Sequence, residues 1–144
     1  MQDNFSDSLI LCKPAQRSAR GMVAAQHRRA AEAGAAVLAR GGDAVDAAIA
    51  TSFALGVLEP WMSGIGGGGA MVLYRVAERR YYVIDFGMHA PGALDPGKYT
   101  LTGAGVVSDL FPWPLVQDDR NVHGAGAVAV PGVVDGMRVA HERF

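Results

Sequence analysis

Glu59-Pro60-Trp61-Met62-Ser63-Gly64-Ile65-Gly66-Gly67-Gly68-Gly69 is the stretch that decides how this chain is read. Five of its last six residues are glycine. Glycine reaches φ > 0 without strain and admits a second backbone at close range, at a large entropic cost on ordering. Such a cost, concentrated in one short segment, implies a bare and tightly folded backbone. The apolar run Ala44 to Leu58 before the loop reads as a buried helix, and Ala70 to Arg75 after it reads as a strand. The loop therefore joins a helix to a sheet.

Gly64 to Gly69 matches G-x-G-x-x-G literally. That motif binds phosphate when a strand enters the loop and a helix leaves it, so that the helix amino end faces the anion. Here the order is reversed, and no Gly-Lys-Ser/Thr follows. A nucleotide-binding module therefore ranks last among the readings, and a turn where two backbones pack closely is the default.

The 144 residues suffice for one domain with a single core, and the formal charge of −1 gives no electrostatic case for nucleic acid or an anionic membrane surface. The single cysteine, Cys12, forms no internal disulfide framework and fits a reducing compartment. No basic start followed by a long apolar stretch marks a secretory signal, so the expected location is cytoplasmic. The longest apolar run carries Asp46 and is shorter than a bilayer span.

Residues 1–20 are polar and aperiodic, and are expected to form an arm ahead of a unit spanning 21–144. Gly21 to Ala25 is a short apolar entry, read as a strand. Ala30, Ala33, Gly34, Val37 and Leu38 then form one stripe of a helix that Gly41-Gly42 stops. Asp43 reads as the N-cap of the second helix, with Asp46 three residues on. That helix is apolar nearly all round, which predicts burial between layers. Ala70–Arg75 and Tyr81–Asp85 read as an antiparallel hairpin across the polar connector 77–80. Both runs are apolar enough to predict cover on both faces. Residues 98–126 have no clear period and are expected to be irregular. Ala127 to Val130 reads as a strand and Val133 to Arg143 as a closing helix.

Spacing alone identifies little chemistry. His27, His89, His123 and His141 lie far apart, and none forms a metal-binding pair with another ligand at helical spacing. No metal or other cofactor is expected. Ser63 lacks the flanking glycines of a nucleophile elbow. Composition and spacing stop at a soluble α/β domain with a glycine-rich loop.

The order of motifs carries further. Gly21-Met22-Val23-Ala24-Ala25, His27, Ala31-Glu32-Ala33-Gly34, Gly41 to Ala48, Ala54 to Pro60 and Ser63 to Gly68 resemble the gamma-glutamyltranspeptidase family. The likeness continues through the two strands, Asp85, Ala90-Pro91 and Val130-Pro131-Gly132. The resemblance implies an α+β, N-terminal-nucleophile hydrolase fold, an αββα sandwich of which this chain supplies the amino-terminal part of the large subunit. It also implies a precursor that cuts itself into large and small subunits. The small subunit's new amino-terminal threonine would be the nucleophile, its own amine the base, and nearby backbone N–H groups the oxyanion hole. That threonine has no counterpart here, so no catalytic residue is assigned. The implied partners are the remainder of the large subunit, the small subunit and a small-molecule acyl donor.

One departure bears on the donor. Transpeptidases of the family usually carry Arg-Glu after Asp-x and before x-Ala-Pro, and that arginine grips the α-carboxylate of the glutamyl donor. Here the matching segment is Asp85-Phe86-Gly87-Met88-His89-Ala90-Pro91. Gly87 and Met88 replace the charged pair, and with His89 they are the candidate substrate-binding residues. A bidentate guanidinium–carboxylate contact is a strong one, so its loss implies a less charged acyl donor. The alternative is a non-catalytic scaffold subunit of the same fold.

Overall fold

In the computed structural model, residues 15–107 and 112–144 are described. Cys12, most of the expected arm and Phe111 lie outside them. The order of the main elements is α1 (Arg28–Ala39), α2 (Ala44–Leu58), β1 (Gly69–Arg75), β2 (Arg80–Phe86), β3 (Leu101–Val106), β4 (Pro114–Val116) and α3 (Val133–Arg143). No helix is long and apolar enough to cross a membrane among the described residues.

The helical pair forms for local reasons. His27 caps α1, its ring nitrogen accepting the Arg29 N–H at 3.2 Å. At the other end Gly41, at φ 93°, donates to Leu38, and Gly42 donates to Val37. These two bonds satisfy carbonyls that the last helical turn leaves open. Asp43 then accepts from Val45 and Asp46, while the Asp46 carboxylate accepts the Asp43 N–H. This is the reciprocal capping box. Asp43→Ala is expected to destabilise the protein by about 1 kcal/mol, read from its denaturant midpoint at unchanged slope.

The helices approach closely because Gly34 has no side chain. A Cβ there would lie 2.2 Å from Thr51 Oγ1 and 2.8 Å from the Ala47 carbonyl. Thr51 turns its own hydroxyl back to Ala47 O at 2.7 Å, so its polar atom is satisfied inside the contact. Val45, Ala47 and Thr51 are buried on this side of α2. Val57 on the other side is 80% exposed, so α2 is covered on one side within this chain rather than sandwiched as its composition predicts.

β1 and β2 pair antiparallel in register from Gly69↔Phe86 to Arg75↔Arg80, as expected. Arg79, at φ 51°, closes the connecting turn. Burial alternates along both strands, with Met71, Leu73, Tyr82 and Ile84 sheltered and Val72, Tyr74, Tyr81 and Val83 exposed. The expectation of cover on both faces fails within this chain: α3 lies against β2, while Val72, Tyr74, Tyr81 and Val83 on the other face stay exposed. Period-two alternation is what a half-covered sheet produces. The apolar residues on the open face blurred that pattern in the sequence.

Three other expectations are corrected. Gly21 to Ala25 forms no strand, and its backbone instead runs beside α1, where Gly21 and Val23 approach Leu38 and Gly34. Residues 98–126 contain the antiparallel pair β3–β4, irregular between Leu101 and Val106, with Gly103 and Gly105 at positive φ. Those glycines conceal the strand in the sequence, because they break apolar alternation where the ladder itself is broken. Ala127 to Val130 is reduced to a short 3₁₀ turn and a single bridge between Val130 and His89. Pro131 directly after Val130 supplies no N–H to extend that bridge.

Candidate functional site

β2 delivers the candidate residues. Phe86, its last member, is buried, and Gly87, Met88 and His89 leave the sheet directly after it. Asp85 makes the exit turn by accepting the Gly87 N–H on its carboxylate at 2.9 Å. An aspartate holding a backbone N–H two residues on is a stable local turn. His89 is then tied to Val130 by two backbone bonds, 3.1 Å and 2.8 Å.

Two distant glycine-bearing segments clamp this exit. On one side is the glycine loop, where a Cβ on Gly68 would stand 2.6 Å from Met88 N and 2.9 Å from both Gly87 C and Phe86 O. On the other is the start of α3, where a Cβ on Gly132 would stand 2.3 Å from Phe86 O and 3.1 Å from Gly87 O. The clamp halves are joined, since the Gly132 and Val133 N–H groups donate to Gly67 O at 2.9 Å and 3.2 Å. Gly136, one turn further along α3, admits the Phe86 ring, whose Cγ would be 2.3 Å from an added Cβ. Gly68 and Gly69 thus serve close packing, and no residue from Gly64 to Gly69 has positive φ.

Two open positions sit on this rigid base. Met88 is 59% exposed and His89 is also exposed. Over Gly87, the atom found within 4 Å of an added Cβ is Asp85 Oδ1, at 3.3 Å. No arginine or lysine atom among the described residues lies within 4 Å of that added Cβ. Arg75 pairs with Glu78, Arg120 with Asp118, and Arg138 with Asp135 and Glu142. Among the described residues no cluster of three metal-ligating side chains occurs.

The structure therefore brings Gly87, Met88 and His89 together on one exit loop and builds the floor beneath them from Gly68 and Gly132. Sequence reading assigned the glycine loop to close backbone packing but missed Gly136. Its signal was present: a glycine inside a helix costs roughly 1 kcal/mol against alanine and asks for a packing reason.

Helices packed on one face of an antiparallel hairpin, with the loop between helix and strand clamped under the strand exit, form part of an N-terminal-nucleophile hydrolase fold. The structure superposes on gamma-glutamyltranspeptidase from Pseudomonas nitroreducens complexed with L-DON with a TM-score of 0.73 and 37% identity, over 89% of this chain and 35% of that one. The gamma-glutamyltranspeptidase family profile matches residues 30–144, and the chain belongs to that family. It is 44% identical over 132 residues to the acylase ACY 1 proenzyme of Pseudomonas sp. strain SE83, covering 92% of this chain and 23% of the relative. It is 39% identical over 127 residues to the glutathione hydrolase proenzyme of Bacillus subtilis subsp. natto, covering 86% and 20%. The chain thus spans about a fifth of the length of these curated relatives.

Proposed function

We propose that this chain is the amino-terminal part of the large subunit of a self-processing amidohydrolase, with residues 21–144 forming its contribution to the sandwich. The acyl donor of that enzyme is neutral at the position where a γ-glutamyl donor carries its α-carboxylate. The observation that carries this reading is that no cationic atom among the described residues lies within 4 Å of a Cβ added at Gly87, beside the neutral Met88. The similarity to a relative named as an acylase supports it. The chemistry is acyl transfer through an amino-terminal threonine on the small subunit, whose amine takes the proton as the hydroxyl attacks. Gly87, Met88 and His89 contribute shape on the acyl side. A carboxylate entering this space meets Asp85, a like charge, and gains no guanidinium to offset its desolvation.

The test is a donor profile of the full-length enzyme. Neutral acyl amides of glutaryl-like length but lacking an α-carboxylate are expected to exceed a γ-glutamyl anilide and glutathione in kcat/KM by at least about tenfold, the equivalent of one hydrogen bond to a charged group. Transpeptidase-level turnover on the γ-glutamyl anilide refutes the donor reading. No turnover on any donor, from a protein that has not cut itself, supports the scaffold alternative.

A further inference from the structure

We propose that Asp85 is a specificity-determining residue that selects acyl chains ending in a protonated amine. This selectivity rests on the reading above, in which the acyl chain of the donor lies over Gly87, and it adds a cation to a chain that already lacks the α-carboxylate. The strand register puts the Asp85 side chain on the open face of the hairpin, where Ala70, Val72 and Tyr74 of β1 stand opposite Asp85, Val83 and Tyr81 of β2. Among these paired residues Asp85 alone carries a charge. Its neighbour across the ladder, Ala70, offers only a methyl group. One carboxylate oxygen, Oδ1, accepts the Gly87 N–H at 2.9 Å. The residue is exposed, and no ion pair among the described residues includes it.

The same oxygen borders the space over Gly87, 3.3 Å from a Cβ added there. A single N–H leaves an ionised carboxylate with its negative charge and most of its acceptor capacity unused. An ammonium group donates three hydrogen bonds and accepts none, so it complements Asp85 without competing for the Gly87 N–H. An uncharged alkyl chain gains nothing from this charge, and an anionic one is repelled. A metal ion finds no supporting ligands, because no group of three or more His, Cys, Asp or Glu occurs among the described residues. The turn and the charge are separable. An asparagine amide oxygen accepts the N–H two residues on as an aspartate does, but carries no net charge.

The experiment compares three anilides on the full-length enzyme: δ-aminopentanoyl, its uncharged isostere hexanoyl, and γ-glutamyl. At low ionic strength δ-aminopentanoyl is expected to exceed hexanoyl in kcat/KM by at least about fivefold, the worth of two unit charges roughly 4 Å apart in water. A smaller ratio overturns the proposal. In Asp85→Asn the ratio is expected to fall to within about twofold of one, and a variant that keeps the wild-type ratio overturns the assignment to Asp85. Should that variant fail to fold or to cut itself, salt decides with the wild type. A preference carried by an exposed charge shrinks as ionic strength rises, and one that does not shrink overturns the proposal. The two readings fail separately. Turnover of γ-glutamyl anilide above both other donors sinks the donor reading. Hexanoyl matching δ-aminopentanoyl, with both above γ-glutamyl, leaves that reading standing and sinks the role of Asp85 alone.

Discussion

Gly87→Arg in the full-length enzyme is expected to raise kcat/KM for a γ-glutamyl anilide by about 10- to 100-fold while lowering it for neutral donors. On the proposed reading, the gain follows from placing a guanidinium where a γ-glutamyl donor's α-carboxylate would enter. A hydrogen-bonded contact to a charged group is worth about 1.5–3 kcal/mol, and each 1.4 kcal/mol is a factor of ten in rate. The site accepts the substitution sterically. The closest atom to an added Cβ is Asp85 Oδ1 at 3.3 Å, the end of a side chain that can shift slightly. Asp85 already uses that oxygen on the Gly87 N–H, so its carboxylate stands ready to orient the new guanidinium. Introducing Met88→Glu alongside it is expected to add orientation rather than charge attraction, because glutamate and the donor carboxylate repel. Steady-state kinetics on paired donors check this. An arginine variant with an unchanged donor ratio shows that the α-carboxylate does not enter over Gly87.

Gly132→Ala is expected to be among the most damaging single-methyl additions in the chain, destabilising the parent by about 3 kcal/mol, at the upper end for overpacking. Gly132 has φ −113°, which alanine adopts freely, so the penalty is steric. The obstacle is the Phe86 carbonyl oxygen at 2.3 Å, a backbone atom held by the β1–β2 ladder. Relief requires pushing α3 away from β2, which breaks the bonds from Gly132 and Val133 to Gly67 and tilts the Gly87–His89 exit. Turnover is therefore expected to fall along with stability. Gly66→Ala is the matched control in the same glycine system. Nothing lies within 4 Å of its added Cβ and its φ is not positive, so a change within about 1 kcal/mol is expected. Denaturation midpoints and turnover of the two variants check the contrast. Equal effects at the two positions show that the clamp does not support the exit loop.

Much of this architecture is legible along the chain because it rests on bonds a few residues apart. The Schellman stop at Gly41-Gly42, the reciprocal box of Asp43 and Asp46, and the β1–β2 hairpin all close within short loops. Their residue types are demanded by local backbone geometry wherever the chain finally packs. Gly87 and Met88 stand out in the sequence against the order of motifs around them, and the structure places them where the chain leaves β2. β3 was not. Its ladder is irregular between Leu101 and Val106, and Gly103 and Gly105 erase its alternation.

Among the glycines, sequence alone ranked Gly64 to Gly69 as equals, all suited to a tight loop. The tertiary structure separates them: Gly68 is pressed on the Met88 backbone, while Gly64 and Gly66 face open space. The same holds for faces. Sequence determined that α2 and the hairpin are apolar, and the fold decided that α1 covers one side of α2, α3 covers one side of the hairpin, and Val57, Val72 and Val83 stay exposed in this chain. The reason is physical: caps and turns are fixed by hydrogen bonds between near neighbours, whereas which methyl group collides, and which surface stays wet, depends on segments brought together from far apart in sequence.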